Sequence, residues 1–189
     1  MPAPEIVLAR HGETEWSRDM RHTGRTDVPL TDAGRRQAST LRARLEGRQF
    51  AKVLVSPLSR AVETCRLAGL GDRAERRPEL VELEYGEAEG LTTTQLRERI
   101  PGWTVWTHDT PGAETLEAVG DRLQPLIAEL RDTDGDVAIF AHGHVLRVLA
   151  ALWIGLPPRG GSRLALSTGT LSTLGWEREV QVIRSWNAR

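Results

Sequence analysis

The chain has 189 residues, of which 39% are hydrophobic and 27% are charged. This length suits one domain of ordinary size, and the composition is too apolar for a disordered protein. Its 25 basic and 26 acidic residues nearly balance, which argues against a dedicated nucleic-acid or anionic-membrane surface. The single cysteine, Cys65, excludes an intramolecular disulfide and a thiolate metal cluster. We expect one domain over residues 1–189 of a cytoplasmic protein that binds neither nucleic acid nor membrane, with its oligomeric state left open.

Short apolar runs alternate with amphipathic segments in the first part of the chain. Residues 5–10 predict a buried strand, and residues 52–55 predict a second short strand. Thr31 is a typical N-cap for an amphipathic helix that continues to Gly47. A further helix is predicted over residues 58–67, directly after a proline near its first turn.

The same alternation continues in the second part of the chain. Residues 116–130 predict a helix that Pro125 either kinks or divides. Residues 136–141 predict a third buried strand, which a helix to Leu152 follows. Residues 164–186 alternate in short runs that are typical of strands at a sheet edge. Strands separated by helices predict an α/β fold, a three-layer α/β/α sandwich around a mostly parallel sheet.

Two of the predicted strands end in histidine–glycine pairs, at residues 10–12 (RHG) and residues 142–144 (HGH). In such sheets ligands bind beyond the carboxyl ends of the strands. A glycine follows each histidine, Gly12 in the first pair and Gly143 in the second. Glycine lets the backbone turn sharply and leaves room for a ligand. With Arg10 and Arg60 nearby, the two imidazoles would form a cationic pocket suited to a phosphate dianion. Taken singly, each histidine is equally consistent with a structural role.

Five sequence blocks follow one another along nearly the whole chain. They are LARHGETEW at residues 8–16, TGRTDVPLT at 23–31, SPLSRA at 56–61, ELEYGEAEG at 82–90 and AHGH at 141–144. This ordered set resembles the histidine phosphatase superfamily, the phosphoglycerate-mutase-like proteins. The resemblance implies the phosphoglycerate-mutase-like fold and an enzyme that needs neither a cofactor nor a metal.

The resemblance also implies a role for each matching residue. His11 would attack phosphorus and form a phosphohistidine, which a neutral imidazole can do when an acceptor holds its other ring nitrogen. Arg10 and Arg60 would grip the phosphoryl oxygens, and His142 would add a cationic donor. Glu82 would protonate the leaving alkoxide and then deprotonate the hydrolytic water. Because the first step needs a protonated acid, we expect activity either to favour mildly acidic pH or to rely on a raised pKa of this carboxyl group.

The identity of the acid rests on one pair of residues in the fourth block. Several glutamates crowd this block, and a solvated acidic face is the alternative interpretation of such a run. The superfamily places the acid three residues before the aromatic of an aromatic–glycine pair, and Tyr85-Gly86 selects Glu82. Glu84 is the alternative acid.

Ser17 stands where the superfamily commonly has asparagine, and its hydroxyl can still donate a hydrogen bond. With Ser17 and the sequences of its last two blocks, the chain resembles one branch of the superfamily. That branch contains small acid phosphatases and sedoheptulose-bisphosphatase-type enzymes. That branch implies a substrate side lined by Ser17, His22, Thr23, Tyr85, Gly143 and Arg147. Arg147 would hold a second phosphate or a sugar hydroxyl, with a surface arginine as the alternative.

The expected activity is a phosphomonoesterase that hydrolyses small phosphorylated metabolites, sugar phosphates among the candidates. A 2,3-bisphosphoglycerate-dependent phosphoglycerate mutase is the alternative, although the interval from Glu82 to His142 is short for a mutase. A degenerate binding protein is disfavoured because all the catalytic positions are present. A metallo-hydrolase with His11, His22, His142 and His144 as ligands lacks a clear carboxylate ligand.

Overall fold

The computed structural model describes residues 4–189 and contains one six-stranded mixed sheet. The strands are β1 (Ile6–Arg10), β2 (Phe50–Val55), β3 (Ala74–Arg76), β4 (Asp136–Ala141), β5 (Leu171–Glu177) and β6 (Val180–Ala188). They lie in the order β3-β2-β4-β1-β5-β6. The first four are parallel to one another, whereas β5 and β6 are antiparallel at one edge. The predicted mostly parallel sheet with edge strands near the carboxyl end is confirmed.

Within residues 4–189, six α-helices connect or flank these strands. They are α1 (Glu15–Arg18), α2 (Asp32–Leu45), α3 (Ser59–Leu67), α4 (Thr93–Arg99), α5 (Leu116–Asp132) and α6 (Gly143–Trp153). The predicted N-cap of α2 is confirmed, since the Thr31 side chain accepts a hydrogen bond from Gly34 N. No helix within residues 4–189 is long and apolar enough to cross a membrane.

Pro125 does not divide the fifth helix, so that alternative of the prediction is wrong. Helix α5 continues through Pro125 to Asp132. The proline lies on the exposed face of the helix. The carbonyl that lacks its usual N–H partner, that of Asp121, is on the same exposed side and can reach water.

The sheet lies between two helical layers because successive strand residues point to opposite faces. Ile6 and Leu8 of β1 pack into the larger core, which includes the buried residues of α5 and α6. Val7 and Ala9 pack into a second core with the buried residues of α2 and α3. This arrangement confirms the predicted three-layer α/β/α sandwich.

The strand register brings the two histidine–glycine pairs together. Arg10, the last residue of β1, is paired with Ala141, the last residue of β4. His11 and His142 therefore leave the sheet side by side, at the same carboxyl edge. The end of β2 is adjacent, because Val55 is paired with Phe140.

The turn after β1 packs directly against the first turn of α2. A Cβ atom on Gly34 would lie within 3.0 Å of three backbone atoms of Glu13. A Cβ atom on Gly12 would in turn meet the backbone of Gly34. The two glycines therefore allow an approach that side chains would prevent, and this approach locates the loop that carries His11.

We expect Gly34→Ala to lower the free energy of unfolding by about 1–3 kcal/mol, because overpacking costs about that much. In an unpacked helix the same change would raise stability by about 1 kcal/mol. Urea denaturation measures the difference. Ala43→Gly, on the exposed face of α2, is the control for helix propensity and should cost about 1 kcal/mol. A more stable Gly34→Ala protein would contradict the close packing of this turn.

Candidate active site

A cavity of about 270 Å³ opens where the carboxyl ends of β1 and β4 meet. It contains most of the residues that the sequence singled out. Its walls are formed by Arg10, His11, Ser17, Met20, Arg21, His22, Thr23, Glu82, Tyr85 and His144.

His11 is held in one tautomer by its own turn. Its Nδ1 atom lies 2.7 Å from the carbonyl oxygen of Gly12. A carbonyl can only accept, so Nδ1 carries the hydrogen and Nε2 keeps a lone pair. Burial, followed by the charges of Arg60 and Arg10, lowers the pKa of His11 well below 6.5. The imidazole is therefore in its neutral, nucleophilic form.

The backbone around His11 is bonded to three separate elements of the fold. The His11 amide donates to the Ala141 carbonyl of β4 at 3.0 Å, and the His11 carbonyl accepts from Gly169 N at 3.0 Å. The next amide, that of Gly12, donates to Thr64 Oγ1 on α3 at 3.1 Å. The position of the imidazole is thus set by the sheet and by α3.

His142 is neutral, so the expectation of a cation is wrong, although its Nε2 still carries a hydrogen and can donate. Arg60 Nε donates to His142 Nδ1 at 3.1 Å, and His142 Nε2 lies 2.7 Å from Ser56 Oγ. A guanidinium has no acceptor atom, so Nδ1 must carry a lone pair. Burial, followed by the charge of Arg60, lowers the pKa of His142 well below 6.5. Its ring centroid is 5.2 Å from that of His11.

The two arginines occupy different environments. Arg60 is completely buried, and its guanidinium donates to the carbonyls of Gly24 at 2.9 Å and Thr26 at 3.0 Å. Arg10 lines the cavity, and its Nη1 donates to the Leu166 carbonyl. The buried Arg10 Nε has no hydrogen-bond partner within residues 4–189. Of these two arginines, Arg10 lines the cavity, whereas the donors of Arg60 are used by His142 and by the two carbonyls.

The Glu82 side chain lies against the N-terminus of α6 and is almost fully buried. One carboxylate oxygen accepts from Val145 N at 2.9 Å and from Leu83 N at 3.0 Å. The other oxygen accepts from His144 N at 2.9 Å. Two of these amides belong to the first turn of α6, where helix N–H groups lack partners and the helix dipole is positive. Glu84 is exposed and lies outside the cavity wall, so the structure brings Glu82 to the site.

Most of the predicted substrate-side residues line the cavity, but Arg147 does not. Ser17, His22, Thr23 and Tyr85 are in the wall, and Gly143 begins α6 next to Arg10.

Arg147, which was expected to hold a second phosphate, is bonded within the protein beside the cavity. Its Nε donates to the Gly161 carbonyl at 3.0 Å, and its guanidinium carbon lies 4.4 Å from the centre of the Trp106 ring. Its charge still acts on His144 of the cavity wall, whose pKa it lowers in addition to the effect of burial.

His144 is the residue that the sequence analysis considered only as a metal ligand. Its side chain lines the cavity, and its Nδ1 lies 2.6 Å from the hydroxyl of Tyr85. Arg21 and Met20 also line the cavity without having been predicted. The signal for His144 was the second histidine of the HGH block, two residues beyond His142. On the first turn of a helix, that position points to the same end of the sheet.

The histidines do not form a metal site in the part of the chain that the structure describes. No three His, Cys, Asp or Glu side chains of residues 4–189 are grouped as metal ligands. Both ring nitrogens of His142 are engaged by Arg60 and Ser56, and Nδ1 of His144 is engaged by Tyr85. The metallo-hydrolase alternative therefore finds no ligand set in these residues.

Sequence comparison relates the chain to named phosphatases. A protein of Mycobacterium tuberculosis named acid phosphatase is 41% identical over 181 residues, which cover 93% of this chain and 88% of that protein. The sedoheptulose 1,7-bisphosphatase of Saccharomyces cerevisiae is 34% identical in an alignment 185 positions long. The match covers 81% of this chain and 68% of that protein.

Structural comparison supports the same relationship. The solved product of an open reading frame from Mycobacterium tuberculosis matches with a TM-score of 0.91 at 39% identity, covering 98% of this chain and 97% of the other. Residues 6–189 match the sequence family described as the histidine phosphatase superfamily, branch 1. The matched region includes all of the predicted site residues. The chain therefore belongs to the histidine phosphatase superfamily and has its phosphoglycerate-mutase-like α/β fold.

Proposed function

We propose that this protein is a phosphomonoesterase that hydrolyses small phosphorylated metabolites through a phosphohistidine on His11. The observation that carries this proposal is the neutral His11 imidazole, whose Nδ1 hydrogen is bound to Gly12 in a cavity shared with Arg10 and Glu82. The phosphatases named among its relatives support the same reaction class. A cavity of about 270 Å³ suits a small ester.

In the first step, the lone pair on His11 Nε2 attacks phosphorus and a P–N bond forms. The bond between phosphorus and the ester oxygen breaks, and its electron pair leaves with that oxygen. Glu82, entering the step as the acid, gives its proton to the departing oxygen, so the product is a neutral alcohol. Arg10 offers donors to the equatorial phosphoryl oxygens, on which negative charge is spread in the transition state.

In the second step, water attacks the phosphohistidine. Glu82, now a carboxylate, takes a proton from the water as the new P–O bond forms. The P–N bond breaks and its electron pair returns to His11 Nε2, which restores the neutral imidazole. Inorganic phosphate leaves, and Glu82 is again protonated for the next turnover.

Arg60 acts in this scheme through the two imidazoles. Its charge lowers the pKa values of both His11 and His142, in addition to the effect of burial. The neutral form of His11 is the form with a lone pair for attack. Arg60 also spans the carbonyls of residues 24 and 26, and so supports the loop that contributes His22 and Thr23 to the wall.

Replacement of the nucleophile tests the proposal directly. We expect His11→Ala to release phosphate from 4-nitrophenyl phosphate at least about 1,000-fold more slowly than wild type, because no other group can form the intermediate. The matched control is His108→Ala, in the segment between α4 and α5, whose ring bonds to Thr107 and lies outside the cavity wall. It should keep wild-type activity. Near-normal release by a folded His11→Ala protein would contradict the proposal.

The mutase alternative makes a different prediction about where the phosphoryl group goes. A mutase must protect its phosphohistidine from water and pass the group to a second phosphoglycerate. We expect wild-type enzyme incubated with 2,3-bisphosphoglycerate and 3-phosphoglycerate to release inorganic phosphate without forming 2-phosphoglycerate. Nuclear magnetic resonance of ³¹P follows both products. Formation of 2-phosphoglycerate faster than phosphate release would favour the mutase.

The role of the acid is tested with leaving groups of different basicity. We expect Glu82→Gln to lower kcat/KM for an alkyl phosphate by about 100-fold to 10,000-fold, because an alkoxide needs a proton in order to leave. The kcat/KM for 4-nitrophenyl phosphate should fall much less, since nitrophenolate leaves without one, and this parameter does not include the later attack of water that both esters share. Glu84→Gln is the matched control and should leave both kcat/KM values unchanged, because Glu84 is exposed. Equal losses of kcat/KM on the two esters in Glu82→Gln would contradict the assignment of the acid.

A further inference from the structure

The cavity wall beside Glu82 contains a hydrogen-bonded pair that the reaction itself does not use. The Tyr85 hydroxyl and His144 Nδ1 are 2.6 Å apart, and both side chains line the cavity. His144 is also linked to the acid, because its backbone amide donates to Glu82 and its Nδ1 lies 3.9 Å from the same oxygen. Any atom of the leaving group next to the ester oxygen therefore comes close to this pair.

Neither member of the pair is charged. Burial, followed by the nearby Glu82, raises the pKa of Tyr85 well above 10. Burial, followed by the charge of Arg147, lowers the pKa of His144 well below 6.5. The neighbouring His22 is neutral as well, since burial lowers its pKa to about 4. Tyr85, His144 and His22 therefore form a polar but uncharged part of the cavity wall, which Arg21 also lines.

An uncharged surface of this kind gives little support to a second phosphate group. The cation that sequence analysis assigned to that task, Arg147, is bonded to the Gly161 carbonyl and stacked on Trp106. Arg21 is exposed, and its guanidinium donates to the Gly90 carbonyl at 3.1 Å. The uncharged part of the wall consists of a phenol and two neutral imidazoles.

The pair can offer one donor and one acceptor whichever way its own hydrogen bond runs. If the Tyr85 hydroxyl donates to Nδ1, the Tyr85 oxygen keeps acceptor capacity and His144 Nε2 carries a hydrogen. If Nδ1 donates to the Tyr85 oxygen, the tyrosine hydrogen is free to donate and Nε2 accepts. Neither the Tyr85 hydroxyl nor His144 Nε2 has another hydrogen bond within the described residues 4–189. A hydroxyl group, which both donates and accepts, matches these requirements.

Packing holds the pair in place before any substrate arrives. The His144 ring lies 5.1 Å from the Trp106 ring and meets Tyr85 nearly edge-on, at an interplanar angle of 81°. Tyr85 in turn packs against His22, with ring centroids 5.0 Å apart. Groups fixed in this way lose little conformational freedom on binding, so they can discriminate between substrates.

We propose that Tyr85 and His144 recognise a hydroxyl group of the leaving alcohol, which makes esters of polyhydroxylated alcohols the preferred substrates. The proposal rests on the phosphatase function described above. His144 would then determine substrate specificity together with Tyr85, the residue to which its ring is hydrogen-bonded. A site built to bond a hydroxyl discriminates strongly against the analogue that lacks it, because its polar groups are then left unpaired.

Two esters with the same three-carbon chain provide the test. Glycerol 3-phosphate and propyl phosphate have alkoxide leaving groups, and they differ in two hydroxyl groups. We expect wild-type kcat/KM to be at least about tenfold higher for glycerol 3-phosphate. In Tyr85→Phe and in His144→Leu the ratio of the two kcat/KM values should fall to about one. The double variant should be no worse than either single variant, as residues that act together are not additive.

Other outcomes would overturn the proposal in recognisable ways. Equal or undetectable wild-type rates on the two alkyl esters would show that hydroxyl groups are not recognised. Matching losses on both alkyl esters, with 4-nitrophenyl phosphate unaffected, would show that the pair positions Glu82. Losses on all three esters would show a structural role. In each case, hydrolysis of 4-nitrophenyl phosphate that depends on His11 would leave the proposed phosphatase function intact.

Discussion

The hydrogen bond from His11 Nδ1 to the Gly12 carbonyl is the interaction on which the proposed chemistry depends. It commits the imidazole to the tautomer whose Nε2 lone pair is available for attack. The bond exists because the chain turns sharply after β1. Gly34 packs against this turn, and Thr64 Oγ1 accepts a hydrogen bond from the Gly12 amide. The orientation of the nucleophile is therefore a property of the junction between β1, α2 and α3, and mutations far from the cavity surface can disturb it.

A second constraint is the placement of buried charge around this imidazole. Arg60 has no exposed surface, yet its donors are satisfied by His142 and by the carbonyls of Gly24 and Thr26. Removing its side chain would leave His142 Nδ1 and the buried Gly24 carbonyl without partners, which is costly. Glu82 is balanced differently, by backbone amides at the start of α6. Fixed donors thus surround the reacting atoms before substrate binds, as electrostatic preorganisation requires.

The sequence predicted the long periodic elements and the catalytic motifs, but it did not predict features decided by distant packing. Strand β3 has only three residues and α4 buries only Leu96, so neither carries a hydrophobic period. Arg147 was expected to line the cavity, but it packs on Trp106, 41 positions away in sequence, and is not part of the wall. The bond between His144 and Tyr85 joins residues 59 positions apart, and no local pattern reports it. The protonation of His142 likewise follows from its buried neighbours and not from its motif.

The most direct test of the account is to identify the ring nitrogen that carries the phosphoryl group. Enzyme mixed rapidly with 4-nitrophenyl phosphate and quenched in base preserves the acid-labile intermediate. Mass spectrometry then locates the modified residue, and nuclear magnetic resonance distinguishes the two phosphohistidine isomers. Because Nδ1 is engaged by Gly12, the account predicts phosphate on Nε2 of His11. A phosphoryl group on Nδ1 or on another residue, or hydrolysis without any phosphoenzyme, would contradict it.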